Sequence, residues 1–152
     1  MACYHRILVA LDGSPDAATA LAHAATLARD QNALLTLLTV APRPPQPVAA
    51  GASQPPDLID THGQLLREAA ESLPGDIGVT TRLERGNAAE TILRIAGEDH
   101  DLVVMGSHGH SRVHRALLGS TSERVLKASP VPVLLMRGGK RPVKAAAPSP
   151  GR

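Results

Sequence analysis

Two glycine clusters, nine residues apart, hold the side chains best suited to chemistry in this chain. The first is Gly106-Ser107-His108-Gly109 and the second Gly119-Ser120-Thr121-Ser122-Glu123. Glycine lets an anion approach the backbone closely. The hydroxyls of Ser120, Thr121 and Ser122 can donate to phosphate oxygens, and Ser120 is the candidate ligand for Mg²⁺. Ser120 and Glu123 have the Ser-x-x-Glu spacing of a helix capping box. The segment therefore reads as a glycine loop running into a helix N-terminus, where unpaired N–H groups and a partial positive charge favour anions. The alternative is that Gly106 and Gly109 only shape a turn. A second glycine cluster joined to a helix start favours the anion site over that reading.

Between the clusters lie His108, His110, Arg112, His114 and Arg115. Imidazoles at this spacing can converge on a metal. No cysteine accompanies them, and Asp101 is the one nearby acid ahead of them, so positive side chains beside a polyphosphate are the preferred reading. The pattern Gly-x-x-x-x-Gly-Lys-Ser/Thr is absent, which excludes a P-loop NTPase. A Gly-x-Ser-x-Gly elbow is absent too, which removes the simplest hydrolase reading. No residue is assigned a catalytic role.

These clusters must be carried by regular elements. Leu102 to Met105 is a short apolar run ending at Gly106, as suits a strand of a buried parallel sheet. Ile7-Leu8-Val9-Ala10-Leu11 is a second such run, ending at Asp12-Gly13-Ser14-Pro15. There Ser14 can cap a helix and Pro15 can occupy its first turn. That helix extends to about Arg29 on Ala17, Ala18, Leu21, Ala24, Ala25, Leu27 and Ala28. A strand from Leu34 to Val40 follows, then a structureless segment from Ala41 to Pro56 with six of the 13 prolines. A loop so long in a small domain is usually functional or disordered. Asp57 opens a helix that Pro74-Gly75 ends. Ile77 to Glu84 is a strand, and Gly86-Asn87 starts a helix reaching about Glu98. After the helix at Gly119, Pro130 to Met136 forms the last strand, which Pro132 assigns to a sheet edge because it lacks an N–H.

This alternation predicts an α/β fold: a single doubly wound domain, with a five-stranded parallel sheet and helices on both faces. Ligands in such sheets lie beyond the strand C-termini, where strand order reverses. Ala10 to Asp12, Val40 and Met105-Gly106 are the strand ends that matter. Asp12 can accept hydrogen bonds from an adenine amino group or a ribose, or it can cap the first helix beside Ser14, and spacing alone does not separate the two.

Composition narrows the partners. With one Tyr and no Trp or Phe among 152 residues, no aromatic platform exists for stacking single-stranded bases, so nucleic acid is not expected. The net charge of +2 is unevenly spread. Arg137, Lys140, Arg141, Lys144 and Arg152 follow the last strand with no acid, leaving 11 bases against 14 acids, a charge of −3, in the body. Residues 138–152 read as a basic, disordered tail. Cys3 is the only cysteine, no run of ~18 apolar residues is present, and the N-terminus lacks a signal peptide's pattern. A cytoplasmic location with no membrane contact is expected.

The spacing Gly106-x2-Gly109-x9-Gly119-Ser120 resembles the nucleotide-binding signature of the ATP-binding branch of the universal stress protein family. Ile7 to Ser14 and Val131 to Leu135 resemble the same family, and the likeness covers residues 1–137 apart from the extreme N-terminus. The resemblance implies an adenine nucleotide alpha hydrolase-like fold that is usually dimeric and binds ATP, with Mg²⁺. It implies that Asp12 and Val40 contact adenine, next to Ala10 and Met105. Gly106 and Gly109 then lie along the ribose and phosphates, and Gly119, Ser120, Thr121 and Ser122 hold the phosphate tail and its metal. The implied role is a nucleotide-dependent stress-response or signalling module, with a slow ATPase or autophosphorylating enzyme in the same site as the alternative. The edge strand 131–136, apolar and little protected, is the expected homodimer contact.

Overall fold

The computed structural model describes residues 3–43, 58–108 and 118–138. Among these, strands and helices alternate: β1 (Arg6–Ala10), α1 (Pro15–Gln31), β2 (Leu34–Ala41), α2 (Leu58–Glu71), β3 (Val79–Arg85), α3 (Ala88–Asp99), β4 (Leu102–Gly106), α4 (Ser120–Ala128) and β5 (Val133–Met136). The expected proline-rich segment starts one residue later than predicted, because Ala41 still belongs to β2. Its residues 44–56 lie outside the described residues, as do Asp57, the expected helix start, and 139–152 of the basic tail.

All five strands are parallel, in the order β3-β2-β1-β4-β5. The chain adds β2 and β3 on one side of β1, then crosses to add β4 and β5 on the other. Strand order therefore reverses between β1 and β4, which places the ligand crevice beyond their C-terminal ends.

The runs of aliphatic residues in β1, β2 and β4 are explained by burial on both faces. Ile7, Val9, Leu35, Leu37, Leu102 and Val104 point to one side, against α1 and α2. Leu8, Leu38, Val103 and Met105 point to the other, against α3 and α4. The face that α1 buries is narrower and smaller than its sequence suggested: Ala17, Ala20, Ala24 and Ala28, at helical spacing, are at most 3% exposed, whereas Ala18 is exposed. Alanine along the whole contact line lets α1 approach β4 closely. At Gly106 a Cβ would lie 2.7 Å from the Asp16 Cβ and 2.9 Å from the Ala17 nitrogen.

Two local expectations are corrected. The capping box does not form: Gly119 is the N-cap residue of α4 and Ser120 its first helical residue. The Glu123 carboxylate instead accepts from Lys127 Nζ at 2.9 Å. Pro132 does not lie within the last strand, which begins one residue later, although its carbonyl accepts from the Val103 N–H at 2.9 Å. The edge position inferred from it is correct, because β5 pairs with β4 alone.

Candidate functional site

A cleft of about 730 Å³, counted out to its open mouth, occupies the C-terminal ends of β1, β2 and β4. Every described residue among the expected ligand contacts lines it: Ala10, Asp12 and Val40 from β1 and β2, Met105 and Gly106 from β4, and Gly119, Ser120, Thr121 and Ser122 from the start of α4. Gly109 lies outside the described residues, as do His110, Arg112, His114 and Arg115. The cleft also recruits residues that sequence reasoning did not single out for it. Leu11, Leu38 and Ile92 extend its apolar wall, and Ser14, Ala17 and Ala88 bring in two further helix starts.

Three helix N-termini thus face one cleft, and they are not equivalent. On α1, the Ser14 hydroxyl accepts from the Ala17 N–H at 3.2 Å. On α3, the Asn87 side chain accepts from the Glu90 N–H at 3.0 Å. On α4, the N-cap is a glycine with no side chain to offer. The capping requirement of a helix start is therefore met internally at α1 and α3, whereas the first turn of α4 presents its N–H groups and dipole to the cleft. The bare cap is why the capping-box pattern misled: the polar residues of Ser120 to Ser122 sit inside the first turn, not before it.

The hydroxyls of that turn have different duties. Ser122 is buried, and its Oγ donates to the Gly106 carbonyl at 2.8 Å. It ties α4 to the end of β4, so an anion would meet the Ser122 backbone N–H, not its hydroxyl. Ser120 is exposed and Thr121 half-buried, and they remain the side chains of the turn nearest to solvent. Among the described lining residues, Asp12 and His108 are the only titratable ones. No Lys or Arg is among those lining residues, so attraction for an anion there would rest on backbone dipoles.

Asp12 resolves partly into the role of a helix-start residue. Its Oδ1 accepts from the Ser14 N–H at 2.9 Å, so it holds the turn that presents the capping hydroxyl. The cap itself is Ser14. Asp12 is exposed at the cleft, which leaves the ligand role open beside the structural one.

The ends of the segment between the glycine clusters are fixed by Ser107, which is 2% exposed. Its N–H donates to the Met136 carbonyl of β5 at 2.9 Å, and its carbonyl accepts from the Gly119 N–H at 2.8 Å. Its Oγ donates to Asp16 Oδ2 at 3.0 Å. The same Asp16 oxygen accepts from the His108 N–H at 3.1 Å and lies 3.3 Å from His108 Nδ1. Oδ1 accepts from the Gly138 N–H at 2.6 Å. Burial alone would push the Asp16 carboxyl up. The bonds from the Gly138 N–H, the Ser107 hydroxyl, and the His108 ring and N–H outweigh it and hold the group below its ordinary value. Sequence reasoning missed Asp16, because an acid in the first turn of a helix reads as a favourable dipole contact and nothing more.

Comparison with known proteins agrees with this architecture. Residues 3–137 match the model of the universal stress protein family. A universal stress protein from Thermus aquaticus, encoded in the QAH/OAS sulfhydrylase 3′ region, is 36% identical over 138 residues, covering 88% of this chain and 99% of that protein. Among solved structures, the universal stress protein UspA from Lactobacillus plantarum superposes with a TM-score of 0.73 at 28% identity, over 90% of this chain and 100% of that one. The universal stress protein from Archaeoglobus fulgidus in complex with dAMP shares the fold, with a TM-score of 0.64 at 23% identity, over 89% of this chain and 99% of that one. The chain belongs to the universal stress protein family.

Proposed function

We propose that the chain binds ATP in this cleft and acts as a nucleotide-dependent module of stress response or signalling, without efficient catalysis. The observation that carries the reading is the bare first turn of α4, set at one end of a cleft whose other end is apolar. Unpaired N–H groups at a helix start suit phosphate oxygens. Ala10, Leu38, Val40, Ile92 and Met105 suit the faces of a purine, and Asp12 can accept from its amino group or from the ribose. Gly106 and Gly119 line the path between base and phosphates. Among the described residues, no cluster of three His, Cys, Asp or Glu is placed to hold a metal. In this reading Mg²⁺ arrives with the phosphates, with the Ser120 hydroxyl as its protein ligand. The dAMP complex of the Archaeoglobus fulgidus relative supports an adenine nucleotide on this fold.

Assembly and location belong to the same reading. The half-buried edge strand β5 pairs with its copy to form a homodimer. The protein works in the cytoplasm without a membrane partner, in keeping with the lack, among the described residues, of a helix long and apolar enough to cross a bilayer. Slow hydrolysis is the second reading. It is favoured by the His108 imidazole beside the Asp16 carboxylate, a pairing that can orient a general base.

Native mass spectrometry of the purified protein, followed by calorimetric titration of the stripped protein with Mg-ATP, tests the proposal. One nucleotide per chain is expected. A stripped, folded protein that takes up no Mg-ATP at millimolar concentration overturns it. Phosphate release within minutes in a single turnover would favour the second reading.

A further inference from the structure

One carboxylate holds both the wall of the cleft and the end of the last strand. Asp16 Oδ2 is engaged by Ser107 and His108, and His108 lines the cleft. Asp16 Oδ1 is engaged by the Gly138 N–H at 2.6 Å, two residues beyond β5. The fit around it is close on both sides. A Cβ at Gly138 would lie 2.9 Å from Asp16 Oδ1 and 2.9 Å from the Pro15 carbonyl carbon. A Cβ at Gly106 would lie 2.7 Å from the Asp16 Cβ. The ends of β4 and of the segment after β5 thus both close on the first turn of α1.

We propose that Asp16 is a positioning residue that sets Ser107 and His108 at the wall of the nucleotide cleft and makes that setting depend on the start of the C-terminal segment at Gly138. The proposal rests on the nucleotide reading above and adds a route by which the segment after β5 acts on it. The two oxygens belong to one rigid plane, so the Gly138 bond to Oδ1 holds the carboxylate at the angle from which Oδ2 accepts from Ser107 and His108. Holding Gly138 therefore favours the His108 position that lines the cleft. A ligand that needs that position binds more tightly when Gly138 is held, and by reciprocity it holds Gly138 more firmly once bound. The bases Lys140 and Arg141 follow two and three residues further on in the sequence.

The test is a cycle of four proteins: the parent, the chain ending at Arg137, Asp16→Asn, and the two changes combined. Mg-ATP affinity is measured by calorimetry for each. Truncation should weaken binding about fivefold and Asp16→Asn about tenfold, at the lower end of the roughly 5- to 150-fold usual for coupled sites. Combined, they should be no weaker than Asp16→Asn alone, because the truncation acts through the carboxylate. Additive losses, or a truncated chain within twofold of the parent, overturn the proposal. Trypsin cleavage at Arg137-Gly138 and Lys140-Arg141 gives a second readout. ATP should slow it in the parent at least threefold, and an unchanged rate overturns the coupling even if Asp16→Asn fails to fold. If the parent binds no ATP, the nucleotide reading has failed instead. The latch then stands or falls on the ligand-free proteins, where Asp16→Asn should be cut several-fold faster than the parent and equal rates refute it.

Discussion

Gly106→Ala separates two explanations of the first glycine cluster. If Gly106 is there for a ligand, a methyl group harms binding and spares the ligand-free fold. The structure assigns the larger share to the fold. The new Cβ would stand 2.7 Å from the Asp16 Cβ, 2.9 Å from the Ala17 nitrogen and 3.0 Å from the Asp16 carbonyl carbon. Carbon atoms pack at about 3.5–4.0 Å, so the first turn of α1 must retreat by about 1 Å. Two of the three atoms belong to the backbone, so no rotamer change relieves the contact. The retreat is opposed by Asp16, whose carboxylate is bonded to Ser107, His108 and Gly138. Overpacking of this kind costs about 1–3 kcal/mol, and the rigid neighbours put this site toward ~2–3 kcal/mol. For a domain of this size that is a fall in melting temperature of about 4–12 °C. Urea unfolding of the ligand-free protein, followed by circular dichroism, reads it directly. A midpoint equal to the parent's, with ATP binding abolished, would refute the packing argument and restore Gly106 to the ligand.

Three further outcomes follow from the same geometry. Asp12→Ala should weaken ATP binding about tenfold while inorganic triphosphate binds as before; an equal loss for both ligands would show that Asp12 acts only through the Ser14 turn, whose cap is worth ~1 kcal/mol. Asp16 titrates lower in the folded chain than its ordinary 3.8, so its stabilisation is complete above that value and is lost as pH falls through the lower folded one. Asp16→Asn should therefore be less stable than the parent at pH 7 and converge on it toward pH 3, and a constant gap in unfolding free energy would contradict this. Val133→Lys, which puts a charge on the half-buried β5 edge, should shift sedimentation toward monomer at micromolar concentration and leave ATP affinity within threefold.

The fold was largely legible because its signals are local and repeated. Largely aliphatic runs at Ile7 to Leu11, Leu34 to Val40 and Leu102 to Met105 read as strands buried on both faces, and residues suited to starting a helix follow the first and third strands. Ser14 and Asn87 do cap α1 and α3. The failures came where two local signals compete. Ser120 and Glu123 carry the spacing of a capping box, yet the chain turns one residue earlier at Gly119, and Glu123 is drawn to Lys127 one turn further along. Periodicity likewise pointed to a broad alanine and leucine face on α1. Leu21 and Leu27 lie at its margins, and only the four alanines fit beneath it.

The site was legible as positions and much less so as roles. Strand ends at a reversal of strand order are where any ligand must sit, so Ala10, Asp12, Val40 and Met105 could be chosen without coordinates. What each contributes depends on partners far away in sequence. Ser122 looks like a phosphate donor until its hydroxyl is found on Gly106, 16 residues back. Asp16 looks like a dipole contact until its carboxylate is found to join residues 91, 92 and 122 positions away. Neither pairing has a sequence signature, and that of Asp16 depends on α1 lying so close to β4 that Gly106 has no room for a side chain. That closeness comes from the alanine line at Ala17, Ala20, Ala24 and Ala28. The small residues that give the core no aromatic platform are therefore the same ones that let a single carboxylate reach both the cleft and the end of β5.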